Sequence, residues 1–447
     1  MPLDSIAKAL AKAFLAGEPD EAAVLERGVR TLGRRWRWLG PLARRYASEF
    51  GGANWTVRPR HRDALQFLRL DAGFRRALLK HGTGIKIDAP PAGPETMRPA
   101  AAARDWNIPA IESVGALAEW LALDVPDVEW FADLRGFGAK FDCDARLQHY
   151  RYRVLAKGAS GHIRLIEAPK PRLKELQRRI LEGILEKVPA HPAAHGFLKG
   201  RSIGTFARLH VGQRVVLRMD LRDFFPSIAG ARVQTFFRAA GYPEQVADLL
   251  GGICTNSTPG AAWRASDGLE LDRDRLFAAR QLHARPHLPQ GAPTSPALAN
   301  ICAHRMDVRL AGLAEAAGAT YTRYADDLAF SGSEEFARCV ERFSTHVAAV
   351  AMEEGFAVNH RKTRIMRRGV RQHLAGLVIN DRLNIRRSDF DLLKAVLTNC
   401  ARVGPESQNR EGHASWRAHL NGRVAFVESV NPAKGRRLRA IFDRIAW

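Results

Sequence analysis

Tyr321-Thr322-Arg323-Tyr324-Ala325-Asp326-Asp327-Leu328-Ala329-Phe330-Ser331 sets two adjacent carboxylates between short runs of aromatic and β-forming residues. The order reads as strand, tight turn, strand, with the acidic pair at the turn. Aspartate is depleted inside strands and tolerated at turns, where its side chain bonds nearby backbone. Such a turn also projects negative charge to one place, where a divalent cation can neutralise it. An isolated Asp-Asp pair is most often a solvated turn. A third acid in a matching context changes its meaning. Arg214-Val215-Val216-Leu217-Arg218-Met219-Asp220 is a β-branched and apolar run ending in Asp220, and Leu221-Arg222-Asp223-Phe224-Phe225-Pro226-Ser227 follows at once. A strand delivering Asp220 beside the hairpin would gather Asp220, Asp326 and Asp327 on one sheet edge. Mg²⁺ takes oxygen ligands and usually needs carboxylates plus substrate phosphates to complete its octahedron. Two such ions about 4 Å apart can activate a hydroxyl and stabilise the leaving oxygen of an in-line displacement. The constellation suits phosphoryl or nucleotidyl transfer.

The bulk properties agree. Lys and Arg total 69 against 47 Asp and Glu, a net charge of +22. A large positive field favours polyanions, of which nucleic acid is the usual one. An acidic membrane is the rival partner, but no lipidation signal or long basic amphipathic anchor supports it. No run of about 18 apolar residues indicates a membrane span, and the N-terminus lacks the order of a secretory signal. Cys143, Cys254, Cys302, Cys339 and Cys400 are scattered, with neither metal-ligand spacing nor a disulfide framework. That usage fits a reducing cytoplasm.

Along the chain, residues 1–88 read as a helical N-terminal region: Ile6, Leu10, Phe14 and Leu15 recur at helical spacing, and apolar periodicity runs through Leu65–Leu79. Arg34, Arg35 and Arg37 interleave with Trp36 and Trp38. Nucleic-acid contact and a half-buried helix covered by Arg stems both explain that pattern. Residues 89–103, rich in Pro and Ala, read as a linker. Tyr152–Ala156 and His162–Ile166 flank Lys157-Gly158-Ala159-Ser160-Gly161, a hairpin on which Lys157 and Arg164 can converge. Pro169-Lys170-Pro171 then opens an amphipathic helix with Leu173, Leu176, Ile180 and Ile184 as its apolar stripe. Lys170, Lys174 and Arg178 form a basic ridge suited to a phosphate backbone, or an ordinary solvated face. Residues 259–286 read as a polar, irregular surface insertion. Ser331, His360 and His373 lack the nucleophile elbow of a hydrolase triad.

Asp220-x-x-x-x-Phe225, Leu288-Pro289-Gln290-Gly291-Ala292-Pro293-Thr294-Ser295-Pro296 and Tyr324-Ala325-Asp326-Asp327 resemble, in order and spacing, the motifs of reverse transcriptases of the bacterial retron type. With flanking segments the resemblance covers roughly residues 130–447. It implies an α+β fold, the right-hand polymerase of fingers, palm and thumb, with an antiparallel palm sheet backed by helices. The helical N-terminal region precedes it, fingers and palm span 104–380, and the thumb spans 381–447. It implies RNA-directed DNA polymerisation from dNTPs on an RNA template with two Mg²⁺, Mn²⁺ being able to substitute.

The catalytic acids would be Asp220, Asp326 and Asp327, with Leu221 beside them among the metal ligands. Lys157, Arg164, Phe225, Gln290 and Lys362 would bind the nucleotide, Phe225 by excluding a 2′-OH. Lys170, Lys174, Arg178, Arg201 and Gly376 would meet template and primer. The implied partners are a structured non-coding RNA, the DNA product, and an effector or toxin protein in anti-phage defence. An idle RNA-binding scaffold and a non-retron defence polymerase are the alternatives. Retron enzymes usually carry Asn-Ala-x-x-His and Val-Thr-Gly; this chain has no such first string and has Leu374-Ala375-Gly376 for the second.

Overall fold

The computed structural model describes residues 3–17, 19–51, 59–82, 84–88, 96–140, 147–157, 162–266 and 272–447. Its contacts divide the chain into two units, residues 1–189 with 225–302, and residues 190–224 with 303–447. The architecture is α+β, with antiparallel sheets and a helical N-terminal region.

In the first unit, helices α1 (Leu3–Leu15), α2 (Glu21–Leu32), α3 (Leu39–Phe50), α4 (His61–Leu70) and α5 (Ala72–His81) come first. The spacing of Ile6, Leu10 and Phe14 makes one apolar stripe on α1, and all three are buried. Phe14 meets Tyr46 edge-on at 4.9 Å. The periodicity through Leu65–Leu79 is two helices rather than one. Asp71 interrupts it, accepting from the Phe74 N–H at 2.6 Å as the N-cap of α5. The Arg/Trp stretch is no helix either: Gly33, at φ +62°, ends α2, and Trp36 and Trp38 pack on the bundle core while Arg34, Arg35 and Arg37 stay exposed.

Strands β1 (Tyr150–Lys157) and β2 (His162–Pro169) form the expected antiparallel hairpin; its residues 158–161 lie outside the described residues. Of the expected linker, residues 89–95 also lie outside them, while the Arg98 and Ala100 N–H groups donate to the carbonyls of Gly241 and Ala239 at 2.8 Å. Within 259–286, expected to be irregular, residues 267–271 lie outside the described residues, and the rest is largely helical: a 3₁₀ segment, Gly260–Ser266, and a helix, Arg273–His283. Asp272 caps that helix by accepting from the Asp274 and Arg275 N–H groups. Its apolar face is thin. Leu276 and Ala279 pack on Val154, Leu165 and Trp263, too few apolar residues to show a period.

The second unit is built on strands β3 (Val215–Asp220), β4 (Ala319–Tyr324), β5 (Asp327–Gly332) and β6 (Arg364–Arg367), all antiparallel, in the order β4-β5-β3-β6. A smaller sheet follows from β7 (His373–Leu374), β8 (Leu377–Val378) and β9 (Asn384–Ile385). Val216 and Ala329 of the larger sheet share one core with Leu377 of β8 and with Leu397, Val424 and Leu438 of the C-terminal helices. Behind the sheet lies the part of helix Ser295–Ala316 from Ala303 onward, whose Asp307 is fully buried. Asp307 accepts from Arg323 Nε and Nη2 at 2.8 and 2.7 Å and from the Tyr321 hydroxyl at 2.8 Å. Charges without solvent persist only when paired and fully bonded. Among the described residues, no helix is long and apolar enough to cross a membrane.

Breaking this pair strands a charge in the core. Asp307→Ala should lower the unfolding free energy by about 3–5 kcal/mol, measured by urea titration. The apolar double variant Asp307→Leu/Arg323→Met should recover a large part of that loss. A single variant as stable as the parent would contradict the buried pairing.

Candidate active site: three carboxylates on one sheet

Strand register brings the three predicted acids together. Asp220, the last residue of β3, pairs with Asp327, the first residue of β5. The β4–β5 hairpin closes between Tyr324 and Asp327, so Ala325 and Asp326 form a two-residue turn. Ala325 adopts φ +55°, a conformation that costs a non-glycine residue roughly 1–2 kcal/mol. Neighbours hold it there. Arg323 Nη1 donates to the Ala325 carbonyl at 3.1 Å, and the segment from Ala193 to Gly196 runs alongside. The Arg323 N–H donates to the Ala193 carbonyl and the His195 N–H to the Arg323 carbonyl, both at 2.7 Å. A Cβ on Gly196 would stand 2.5 Å from the Ala325 nitrogen, so this approach requires glycine.

Two cations already touch the cluster. Alternation puts Arg218 on the same face of β3 as Asp220. Its Nε and Nη2 donate to Asp327 Oδ1 at 3.0 and 2.7 Å, and Nη2 to Oδ2 at 3.0 Å. Lys362, on the 3₁₀ turn His360–Lys362, donates to Asp220 Oδ1 and Oδ2 at 2.8 and 3.0 Å. Asn359 places that turn, its N–H donating to the Asp220 carbonyl at 2.7 Å and its side-chain amide to Asp220 Oδ1 at 3.3 Å. Among the described residues no cation is ion-paired with Asp326. Burial, then the charges of Asp220 and Asp327, push its carboxyl above the usual aspartate range. Burial also pushes Asp327 up, against the pull of Arg218. Three crowded carboxylates with uncompensated charge form the oxygen donor set that a hard divalent cation fits. Leu221, expected among the metal ligands, has only its backbone carbonyl to offer. Its own N–H is bonded to the Asp326 carbonyl at 2.9 Å.

Of the other expected residues, Arg201 and Gly376 lie in this same unit. Arg201 donates to the carbonyls of Pro192 and Ala194, and its guanidinium, although exposed, braces the loop beside the acidic turn. Ala375 and Gly376 form the β7–β8 turn with φ +45° and +85°, the conformation of a type I′ hairpin. Gly376 borders a cavity of about 430 Å³ with Asp389, His419, Arg423 and Phe426. Phe224 is buried against Phe356 at 5.6 Å, as a core residue should be. Ser331, far from any nucleophile's exposure, is buried and bonded to His210 at 2.6 Å. Burial pushes His210 down to about 3, so it remains neutral.

The remaining expected residues fall in the first unit. Phe225 is half-buried. In the hairpin, Arg164 is exposed opposite Leu155, and Lys157 stands opposite His162. Gln290 is tied to this hairpin: the Glu167 N–H donates to its carbonyl at 2.9 Å. Gly291, at φ +140°, lies where a Cβ would be 2.8 Å from the Glu167 carbonyl oxygen. Lys174 and Arg178 project from the exposed face of helix Pro171–Gly183, while Lys170 is its half-buried N-cap residue. Sequence reading missed Arg218, Asp307, Arg323 and Asn359, while the glycines of His195–Ser202 read as permitting close backbone approach, as Gly196 does here. Arg218 carries a signal in hindsight, two residues before Asp220 in a strand; Asp307 carries none.

A family model for reverse transcriptase (RNA-dependent DNA polymerase) matches residues 155–375. The chain is 45% identical over 300 residues to the retron Mx65 reverse transcriptase of Myxococcus xanthus, covering 66% of this chain and 64% of that protein, just under two thirds of its length. It is 36% identical over 348 residues to the retron Mx162 reverse transcriptase of the same organism, covering 75% and 67%. To the retron Ec86 reverse transcriptase of Escherichia coli it is 30% identical over 302 residues, covering 66% and 82%. With the acidic cluster in place on the antiparallel sheet, the conclusion is that this chain belongs to the family of retron reverse transcriptases.

Proposed function

We propose that this protein is an RNA-directed DNA polymerase that extends a primer hydroxyl with dNTPs on a structured non-coding RNA. The observation that carries this is the pairing of Asp220 with Asp327, with Asp326 at the adjoining turn. Asp220, Asp326, Asp327 and the Leu221 carbonyl would hold two Mg²⁺ ions, which when bound supply Lewis-acid activation of the attacking hydroxyl and charge neutralisation at the phosphate. Lys362 neutralises Asp220 until substrate arrives, and then offers its ammonium to the departing pyrophosphate. Arg218 fixes the orientation of Asp327. Lys157 and Arg164 would clamp the triphosphate, Gln290 would orient the nucleotide, and Phe225 would exclude the 2′-OH. Lys170, Lys174, Arg178, Arg201 and Gly376 would meet template and primer. The retron names of the relatives support a retron-like product joining RNA to DNA, and a defence role with an effector protein extends that reading.

Asp326→Asn should reduce dNTP incorporation on an RNA template to background while RNA affinity stays within a few-fold, because the transition state alone depends on that charge. Near-normal extension by this variant would sink the assignment. Its effect on stability has the opposite sign. Because the folded carboxyl is raised above its unfolded value, the ionised form costs stability at neutral pH, and that cost fades as pH falls through the raised pKa. Without divalent cations, Asp326→Asn should therefore melt higher than the parent in a thermal scan, and added Mg²⁺ should raise the parent's midpoint more than the variant's.

The same raised carboxyls set the acid limb of activity. At limiting Mg²⁺, where the metal-free carboxyls titrate, kcat/KM should fall as pH drops, with a midpoint above the roughly 3.9 of a free aspartate, and more Mg²⁺ should move that midpoint down. A limb at or below that value would mean that Asp326 and Asp327 are not the titrating groups.

Phe225→Ala should shift the ratio of ribonucleotide to deoxynucleotide use upward, a tenfold shift being about 1.4 kcal/mol of differential transition-state free energy. The buried Phe224 is the matched control. Phe224→Ala should cost about 3–5 kcal/mol of stability without altering sugar choice. Unchanged sugar discrimination in Phe225→Ala would move the gate elsewhere.

A further inference from the structure

We propose that Glu167, His283 and His287 form a buried site for one divalent transition-metal ion, with zinc the ion that its donor set fits. The inference stands on the first unit alone and does not depend on the polymerase reading. Each residue offers one ligand atom, these atoms lie within 4.8 Å of one another, and all three side chains are buried. They come from three separate places in the sequence: strand β2, the last residue of helix Arg273–His283, and the extended segment leading into Pro289.

The surrounding bonds orient them as ligands. His283 Nδ1 lies 2.8 Å from the Ala279 carbonyl, and His287 Nδ1 lies 2.7 Å from the Arg285 carbonyl. A carbonyl only accepts, so each Nδ1 carries a proton and donates it. Each ring would therefore offer Nε2 to a cation, and on His287 that nitrogen faces Glu167 Oε2, where an ion would take the place of the proton between them. Backbone carbonyls on the remote nitrogen are the usual means of fixing a metal-ligating imidazole. Glu167 is treated the same way: its Oε1 accepts from Asn256 Nδ2 at 2.7 Å and from Thr258 Oγ1 at 2.8 Å. That leaves Oε2, 2.9 Å from His287 Nε2, for the ion.

Two imidazoles and one carboxylate are a zinc donor set, not a magnesium one. A pocket of about 410 Å³ adjoins the cluster, and Thr258 and Trp263 line it. Thr258 is also bonded to Glu167, and the Trp263 ring meets His283 edge-on at 5.5 Å. A fourth ligand, water or otherwise, would complete the tetrahedron of a bound zinc ion. An ion there would tie helix Arg273–His283 to β2, and through the Glu167 N–H to the Gln290 turn.

The test uses the full chain, purified without a polyhistidine tag from zinc-supplemented culture and dialysed against Mg²⁺ buffer. Elemental analysis should find about one zinc per chain. His283→Gln and His287→Asn should lose it, and Asp326→Asn should keep it. A strong chelator should lower the parent's melting midpoint but leave that of His283→Gln unchanged, and cobalt replacement should give the visible absorption of a tetrahedral site. Zinc retained by both histidine variants would overturn the proposal. So would a parent that carries no metal and whose midpoint moves with neither zinc nor chelator; the cluster would then be a buried imidazolium–carboxylate pair. The parent's measurements decide the matter even if a variant fails to fold.

Discussion

The acidic site hangs on a guanidinium that has no exposed surface. Arg323 spends two nitrogens on Asp307 and a third on the carbonyl of Ala325, the strained residue of the acidic turn. A charge pair out of water contributes little net stability over apolar packing of similar volume, since desolvation offsets most of the attraction. Its value here is geometric. A planar fork bonded at three points permits one orientation, and the turn it supports must present Asp326 beside the Asp220–Asp327 pair. Tyr321 of the same strand also donates to Asp307, and the Ala193–Gly196 segment bonds to the strand's backbone. Strain at Ala325 persists because these neighbours over-determine it.

Electrostatically the site is built out of balance. Arg218 and Lys362 each hold one carboxylate, and the third is left to repel the others. A protein selected for stability alone would replace one acid by an amide. Retaining all three would provide a place for a hard cation, as proposed above, and the folded chain carries the cost of the crowded charges while it is empty. Lys362 is exposed along part of its length, so it can leave Asp220 without unfolding anything. Arg218, bidentate and less exposed, is the more permanent partner.

The first unit solves a related problem by different means. Its hairpin must hold Arg164 and keep the Pro-Gln-Gly turn against β2. A single residue, Glu167, does both: its backbone bonds Gln290, its carbonyl fills the space that Gly291 leaves open, and its side chain anchors a buried polar cluster. A carboxylate in that position is tolerable only because every oxygen has partners.

Local chemistry was legible wherever a residue's role depends on its neighbours in sequence. The acidic hairpin, the strand ending in Asp220, the fingers hairpin, the amphipathic helix from Pro171 and the stripe of α1 all show their period or their turn residues directly, because side-chain direction follows from 2- and 3.6-residue repeats. Where the period was sparse, reading failed: residues 273–283 form a capped helix with two apolar contacts, and Asp71 splits one apparent helix into two. The partners of the site were not legible at all. Nothing local marks Asp307 as the counter-ion of Arg323, Arg218 as the clamp on Asp327, or Ala325 as the backbone that Gly196 approaches. Those relations span up to 129 residues in the case of Gly196 and Ala325, and they exist only because strand pairing closes that distance. The sequence by itself determined which groups could bind a cation and on which elements they ride; the tertiary structure alone decided which carboxylate has no ion-pair partner among the described residues, because burial and charge proximity are properties of the packed chain.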